Sequence, residues 1–300
     1  MADTALLECW RDLSPQALER AYDSCGAAAE QPAILRRWAR DSALLRRAHP
    51  DSRLDLAYGS DPHQQIDLFL PPPSPGGQRP PLLLYLHGGC WQSLGKSHYS
   101  LVATGPLARG FAVAVAGYRP CPAASLAEMV EDARNACLFL WQHGQGLGID
   151  RERMVAAGHA IGGHLAATLL ATRWASYGRR HPRDLVAAAV GLSGLYQLEP
   201  LLETRLGRAL GLDLASARAL APVYLEPPYS AAMLLAVGRR ECAEQHRQSE
   251  ALAARWPDQG VAVDLLLLAR HNHYTLIDEL ADAEGLLCTL LPALLAAARD

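Results

Sequence analysis

Residues 158–162 of this 300-residue chain are Gly-His-Ala-Ile-Gly, and they follow an apolar run that starts at Met154. An apolar strand, a turn with a glycine on each side and an Ala- and Leu-rich continuation are typical of the nucleophile elbow G-x-S-x-G. Glycines suit this turn because the corner between strand and helix leaves little room for Cβ atoms. The central residue is Ala160, which has no hydroxyl. The pattern therefore predicts the backbone corner of a serine hydrolase site with alanine at the nucleophile position.

A glycine pair after another apolar run could provide the second part of such a site. The segment His87-Gly88-Gly89-Cys90-Trp91 matches the HGGG-type loop whose backbone N–H groups face a developing oxyanion. Removing one such donor typically costs ~10²–10³ in rate. If the corner at Ala160 is an elbow, the N–H of Ile161 is the second donor, at the positive end of the next helix. The alternative is a glycine turn that only connects a strand to a helix.

An acidic residue and a histidine follow the last two apolar runs of the chain. The order elbow, acid, histidine is that of α/β-hydrolases, in which a carboxylate orients an imidazole that acts as general base. We assign the acid to Glu241, which immediately follows a strand end, and the base to His273, which lies deeper in its loop. Glu244 is the alternative acid, and His271 is the alternative base.

The elements that must position these residues are strands buried on both faces, as in a parallel sheet covered by helices. Six mostly continuous apolar runs indicate them, at 82–86, 111–115, 153–157, 186–190, 233–237 and 261–267. Helical periodicity fills the intervals, at 126–140, 163–174, 243–256 and 285–299. We therefore predict an α/β fold with a mostly parallel central sheet and helices on both faces.

The rest of the chain suggests how the domain is bounded. Segments 53–58 and 65–70 alternate apolar and polar residues and predict an antiparallel hairpin. Residues 1–50 are expected to form a helical flank or cap, and 51–300 one catalytic domain. A Pro-rich stretch at about 197–230 is expected to be an irregular insertion over the carboxyl edge of the sheet, where ligands bind in such folds.

Composition narrows the class of protein further. The net charge of −3, from 28 basic and 31 acidic residues, argues against a nucleic-acid or anionic-membrane partner. No signal-peptide pattern starts the chain and no apolar run reaches the ~20 residues of a membrane span. The seven scattered cysteines form no C-x-x-C pair, and His159 and His164 are spaced unlike a zinc pair on a helix. We expect a cytoplasmic protein without metal or cofactor, of undetermined oligomeric state.

Several of these segments, taken together, resemble the arylformamidase (kynurenine formamidase-like) branch of the α/β-hydrolases over roughly residues 50–295. The segments are 87–97, Tyr118-Arg119-Pro120-Cys121-Pro122, the elbow, 193–200, His246-Arg247-Gln248-Ser249 and Asn272-His273-Tyr274. The resemblance implies a cofactor-independent serine hydrolase that cleaves the formamide of N-formylkynurenine, or a related small aryl amide or ester. By position it places the nucleophile at Ala160, the acid at Glu241, the base at His273 and the oxyanion loop at Gly88-Gly89.

Four residues are candidates for the substrate pocket, namely Cys90, Trp91, Tyr196 and Tyr274. The aromatic ones could equally be ordinary core or surface side chains. The chain also departs from the family pattern, with Glu241 where an aspartate is usual. Cys90 and Ile161 stand in place of the usual aromatic and small residue, which alters the pocket.

Two hypotheses account for Ala160. One is a deliberate serine-to-alanine replacement that prevents turnover, which we favour because Glu241, His273 and the glycine loop all persist. The other is natural loss, giving a pseudo-hydrolase or a fold reused for ligand binding or non-hydrolytic acid/base chemistry. In either case we expect the chain to bind its substrate without hydrolysing it through a serine.

Overall fold

A single eight-stranded sheet organises the chain, in the order β1-β2-β4-β3-β5-β6-β7-β8. The computed structural model describes residues 2–22, 30–89 and 94–298. The strands are β1 Arg53–Ala57, β2 Gln65–Phe69, β3 Pro81–Leu86, β4 Ala112–Ala116, β5 Asp150–His159, β6 Ala188–Leu192, β7 Ala231–Gly238 and β8 Val261–Leu268. The predicted hairpin is the antiparallel pair β1–β2.

Strands β3 to β8 pair with one another in the parallel sense, whereas β2 pairs in the antiparallel sense with both β1 and β4. Leu84 of β3 lies opposite Ala114 of β4 and Ala156 of β5. Since successive side chains of a strand point to opposite faces, Leu84 enters one core and Tyr85 the other. This explains the continuous apolar runs, because both faces of the parallel strands are covered.

Helices and short 3₁₀ turns connect the strands and cover the two faces. The helices are α1 Ala2–Glu8, α2 Pro15–Tyr22, α3 Gln31–Ala48, α4 Thr104–Ala108, α5 Leu126–Leu147, α6 Ile161–Leu170, α7 Arg205–Ala209, α8 Leu214–Leu220, α9 Ala243–Arg255, α10 Asp278–Ala281 and α11 Leu286–Ala297. Turns of 3₁₀ type occupy Cys9–Asp12, Lys96–His98, Ser100–Ala103, Trp174–Tyr177, Glu199–Glu203, Pro222–Tyr224, Trp256–Gln259 and Thr275–Ile277.

Helix α5 shows how local signals set the length of an element. The side chain of Ser125 accepts a hydrogen bond from the Glu128 N–H, and the Glu128 carboxylate accepts one from the Ser125 N–H at 2.8 Å. This capping box starts the helix. The helix ends at Gly148, whose φ of 81° lies in the left-handed region that favours glycine.

Both flanking segments contain helices. The N-terminal region forms three helices, and the first two pack against α9 beside the sheet. The stretch 197–230 is not irregular throughout, because it contains α7 and α8. The side chain of Thr204 caps α7 and that of Asp213 caps α8. Polar N-cap residues therefore start helices in this stretch despite its prolines.

In the described part of the chain, no individual helix has the length and apolar character to cross a bilayer. The pair Thr275–Ala281 and Leu286–Ala297 meets that test only when joined across a 62° bend.

Candidate active site

The turn between β5 and α6 has the backbone of a nucleophile elbow. Ala160 adopts φ 54° and ψ −116°, a combination that a residue with a Cβ rarely takes. Its N–H donates to the Leu192 carbonyl of β6 at 2.9 Å, which ties the corner to the sheet. A Cβ on Gly162 would lie 1.9 Å from the Leu86 carbonyl oxygen, so only glycine allows this approach of helix to strand. These contacts therefore hold the Ala160 methyl at the corner between β5 and α6.

The glycine loop after β3 lies directly against this corner. A Cβ on Gly88 would come within 3.5 Å of the Ala160 Cβ and 2.8 Å of His159 Nδ1. The loop is held by Tyr118, whose hydroxyl donates to the His87 carbonyl at 2.6 Å. Gly88 and Ile161, the first residue of α6, thus both lie beside Ala160. The first N–H groups of a helix have no partner within it, so they can bind an oxyanion.

Glu241 and His273 lie in contact at the same edge of the sheet. The Nδ1–H of His273 donates to Glu241 Oε2 at 2.8 Å, and only 1% of the Glu241 side chain is exposed. Burial by itself raises the pKa of Glu241, but hydrogen bonds from His273, Ser193 and the Gly238 N–H outweigh it and lower that pKa. Glu241 is therefore ionised at neutral pH, and it directs the proton of His273 to Nδ1. The other ring nitrogen, Nε2, is left as an acceptor.

Ser193 was not selected from the sequence as a site residue, yet it touches the acid. Its hydroxyl donates to Glu241 Oε1 at 2.5 Å, and the Gly238 N–H donates to the same oxygen at 2.7 Å. Ser193 is fully buried at the end of β6, between the elbow and β7, and has a φ of 46°. Two donors on Oε1 thus leave Oε2 for the imidazole. The signal that could have identified Ser193 is a polar residue directly after a buried strand.

The alternative acid, Glu244, and the alternative base, His271, have other partners. Glu244 is bound by Arg247 through two hydrogen bonds, at 2.8 and 2.6 Å, and by the hydroxyl of Tyr22. His271 contacts the Thr275 carbonyl at 2.9 Å and Glu279 at 2.8 Å. The only carboxylate and histidine among the described residues that meet beside the elbow are Glu241 and His273.

His159, the residue before Ala160, joins two loops of the site. Its Nε2–H donates to the His273 carbonyl at 2.8 Å, and the two rings are 4.4 Å apart. Burial, together with the neighbouring His273, lowers the pKa of His159 well below its usual value, so the ring is neutral. Its buried Nδ1 has no hydrogen-bond partner in the described residues and lies against Gly88.

The four expected pocket residues fall in different places. Cys90 and Trp91 lie outside the described residues. Tyr196 is fully buried in the core, with its hydroxyl packed against Gly194, and does not face an open surface. Tyr274 lies next to the site, since its ring meets that of His273 edge-on at 5.6 Å and its hydroxyl accepts a hydrogen bond from Gln31.

No group of three or more His, Cys, Asp or Glu side chains with the arrangement of a metal site occurs in the described ranges 2–22, 30–89 and 94–298. The chemistry that these residues can perform is therefore proton transfer at His273, stabilised by Glu241, beside a set of backbone donors. The side chain of Ala160 has no nucleophilic atom.

Comparisons with known proteins show which family the chain belongs to. A family model described as BD-FAE matches residues 66–255. The kynurenine formamidase of Danio rerio is 28% identical over 247 residues, covering 79% of this chain and 80% of the relative. A structure from Silicibacter sp. TM1040, described provisionally as a thioesterase, superposes with a TM-score of 0.80 at 29% identity, over 92% of this chain and 98% of that one. Esterase B from Lactobacillus Rhamnosis (HN001) shares the fold at 18% identity, with a TM-score of 0.67 over 90% and 96% of the two chains.

Proposed function

Because this chain belongs to the BD-FAE family and is an arylformamidase-like α/β-hydrolase, we propose that its site binds a small aryl formamide, or a related aryl amide or ester. Relatives of the chain are named as a formamidase and as a probable methylesterase, enzymes that act on amide or ester bonds. The observation that supports the proposal is the position of Ala160, in a nucleophile elbow against the glycine loop, within a site that retains a paired Glu241 and His273.

We propose the following reaction for a chain with serine at position 160. His273 Nε2 removes the hydroxyl proton, and the serine oxygen attacks the acyl carbon. The N–H groups of the glycine loop and Ile161 stabilise the oxyanion. His273 then gives its proton to the leaving amine or alcohol as the carbon–nitrogen or carbon–oxygen bond breaks. Water, deprotonated by His273, hydrolyses the acyl-enzyme.

With Ala160 in place, this covalent route is closed while the surfaces that bind substrate remain. Loss of a nucleophilic serine can reduce kcat by about 10⁶ without a comparable loss of ground-state binding. We therefore propose a chain that binds its substrate and does not turn it over through an acyl-enzyme. The five described cysteines are all free thiols, which supports a cytoplasmic location as part of the same proposal.

The test is Ala160→Ser, assayed against formanilide and 4-nitrophenyl acetate. We expect a gain in kcat/KM of at least about 10³-fold over the chain with Ala160, with a burst of 4-nitrophenol from the acylation step. Ala160→Gly is the matched control, because it changes the same position without adding a hydroxyl. Ala160→Ser combined with His273→Ala should lose the gain.

An Ala160→Ser protein without hydrolytic activity would contradict the proposal and favour a fold reused for binding or for non-covalent acid/base chemistry. So would esterase activity of the native chain that His273→Ala leaves unchanged.

A further inference from the structure

A cavity of about 710 Å³ lies at the edge of the sheet opposite the candidate active site. The loop before β3, the carboxyl end of α5 and the first residues of β5 enclose it. Its volume is in the range of small-molecule sites, ~300–1,000 Å³. Ala160 comes directly after β5, so at ~3.3 Å per strand residue it lies roughly 20 Å from Arg153. A small substrate at Ala160 therefore does not reach this cavity.

Three arginines line this cavity, and two of them have no partner. They are Arg79 of the loop before β3 and Arg151 and Arg153 of β5. Within residues 2–22, 30–89 and 94–298, neither Arg79 nor Arg153 makes a hydrogen bond or an ion pair. A guanidinium is a planar, always charged donor that binds phosphate oxygens in pairs. The two side chains are therefore available to an anionic ligand.

An irregularity of the backbone turns the arginines of β5 toward the same space. Between two neighbouring pairs at the start of these strands, β3 advances by one residue and β5 by four. Consecutive side chains of a regular strand point to opposite faces, yet Arg151, Glu152 and Arg153 all line the cavity. Such a bulge re-aims side chains, and bulges are over-represented beside functional sites.

Arg151 is held in place before any ligand arrives. Its guanidinium lies 4.5 Å from the centre of the Trp141 ring, and its Nη1 donates to the Trp141 carbonyl at 3.3 Å. Its contact with Glu152 is long, at 3.3 Å, and 55% of the Glu152 side chain is exposed. An exposed ion pair of this kind contributes little, so an anion can compete with Glu152 for Arg151. Asp150, the other acidic residue at the cavity, accepts a hydrogen bond from the Glu152 N–H at 3.1 Å.

The neighbouring loop adds further positive charge. The ring of His181 meets that of Trp141 edge-on at 4.8 Å, which places the loop before β6 beside Arg151. This loop carries Arg179 and Arg180, both exposed. Several cations are thus gathered at one edge of a chain whose net charge is −3. Such a local concentration attracts anions from solution.

We propose that this cavity binds the diphosphate or oligophosphate group of a small molecule. A diphosphate carries more than one negative charge and enough oxygens to contact Arg79, Arg151 and Arg153 together. A single carboxylate can pair fully with only one guanidinium. Gln78 and Gln145 line the same cavity and can bind the rest of the ligand through their amides. This inference does not depend on the function proposed for Ala160.

The experiment measures binding to the full chain by calorimetry at physiological ionic strength, with pyrophosphate, ADP and adenosine as probes. We expect pyrophosphate and ADP to bind at least about tenfold more tightly than adenosine. Tighter binding of ADP than of pyrophosphate would support a nucleotide as the source of the phosphates, and equal affinities would support a free polyphosphate. Adenosine that binds as tightly as ADP, or pyrophosphate that does not bind, would overturn the site.

Arg79→Gln and Arg153→Gln test the residues directly. Each should weaken pyrophosphate binding at least about tenfold, because hydrogen bonds between charged groups are the strong ones. Neither change removes a contact within the described chain, so both proteins should fold normally. Arg36→Gln is the matched control, since it removes the same charge from an exposed position on α3. Equal effects of all three changes would show attraction to overall charge and would overturn the site.

Glu152→Gln acts in the opposite direction. It removes the carboxylate that competes for Arg151 and should increase affinity for pyrophosphate several-fold, a gain that a misfolded protein cannot produce. Affinity that Glu152→Gln leaves unchanged or lowers would contradict the proposal.

Hydrogen exchange locates the bound anion. Pyrophosphate should slow exchange in residues 145–153 and leave the loop that carries His273 unchanged. Protection confined to the His273 loop would place the anion in the candidate active site and overturn the inference.

Discussion

Ala160 retains a backbone conformation that its own side chain does not require. A residue with a Cβ at φ 54° and ψ −116° carries strain of ~1–3 kcal/mol, and such strain persists only where the surroundings impose it. Here the surroundings are the hydrogen bond to Leu192 and the close approach of Gly162 to β3. The surroundings, rather than the side chain, fix the backbone at this position. We therefore expect the hydroxyl introduced by Ala160→Ser to be placed correctly for attack on the acyl carbon.

Ser193 offers a residue-scale test of how the acid is positioned. Ser193→Ala removes an O–H donor from the charged form of Glu241, so the pKa of Glu241 should rise. In the Ala160→Ser background we expect kcat/KM to fall at least about tenfold, since a hydrogen bond to a charged group contributes ~1.5–3 kcal/mol. The acid limb of its pH profile should shift to higher pH.

The matched control is Ser249→Ala. Ser249 is also fully buried, and its hydroxyl has no hydrogen-bond partner among the described residues. This variant should leave the pH profile in place. An identical profile for Ser193→Ala would show that Ser193 only fills space.

At the scale of elements, the parallel sheet assembles the site by bringing strand ends together. The glycine loop follows β3, the elbow β5, Ser193 β6 and Glu241 β7, so residues distant in the chain meet at one edge. A buried polar network attaches helix α9 to α1 and to the loop after β6. Arg247 of α9 donates to Gln197 at 2.6 Å and to the Leu6 carbonyl at the N-terminus at 2.8 Å.

The docking of α1 and α2 should depend on Arg247. Arg247→Met leaves Glu244 buried without its cation, and removing one partner of a buried pair typically costs ~3–5 kcal/mol. We expect a loss of this order in the free energy of unfolding measured with urea. Faster hydrogen exchange in α1 and α2 than in the sheet should accompany it.

The double variant Glu244→Gln, Arg247→Met tests the cause, because it removes the unpaired charge. It should be more stable than Arg247→Met alone. Arg218→Met is the surface control, since 58% of the Arg218 side chain is exposed and its pair with Glu199 is long, at 3.6 Å. Equal losses for Arg247→Met and Arg218→Met would contradict the network's role.

At the scale of the whole molecule, buried histidines couple folding to pH. Burial lowers the pKa of His87 and of His164 to about 4 each, and that of His159 well below its usual value. Between pH 6.5 and 4 the unfolded chain binds these protons and the folded chain does not. The buried histidines therefore do not reduce the free energy of unfolding above about pH 6.5, and they reduce it increasingly as the pH falls below that value.

A variant of His164 tests how much one of these histidines contributes to the pH dependence of stability. A histidine with its pKa lowered from 6.5 to about 4 destabilises the fold by about 2 kcal/mol at pH 5 relative to pH 7. His164→Gln can still donate to the Leu220 carbonyl and should flatten the dependence of unfolding free energy on pH by that amount. His143→Gln, at an exposed position, should not change it. Equal slopes for His164→Gln and the native chain would contradict this origin.

The sequence by itself determined the fold class and the parts of the site that obey local rules. Continuous apolar runs identify strands buried on both faces, and glycines at Gly88 and Gly162 mark places where backbone approaches backbone. The strand–turn–helix corner with Ala160 at its centre could also be recognised, because a tight turn constrains its own residue types. These signals are local, so they can be interpreted without knowing which elements pack against them.

Only the tertiary structure decided which distant side chains meet. Glu241 and Glu244 are three residues apart, but one lies in the loop after β7 and faces His273, while the other lies on α9 and faces Arg247. Ser193 had only the signal of a polar residue directly after a buried strand, and nothing in the sequence placed it on Glu241 or placed Asp67 beneath Lys96. The physical reason is that a hydrogen bond depends on where two elements are packed, and that packing is set by the sheet order rather than by spacing along the chain.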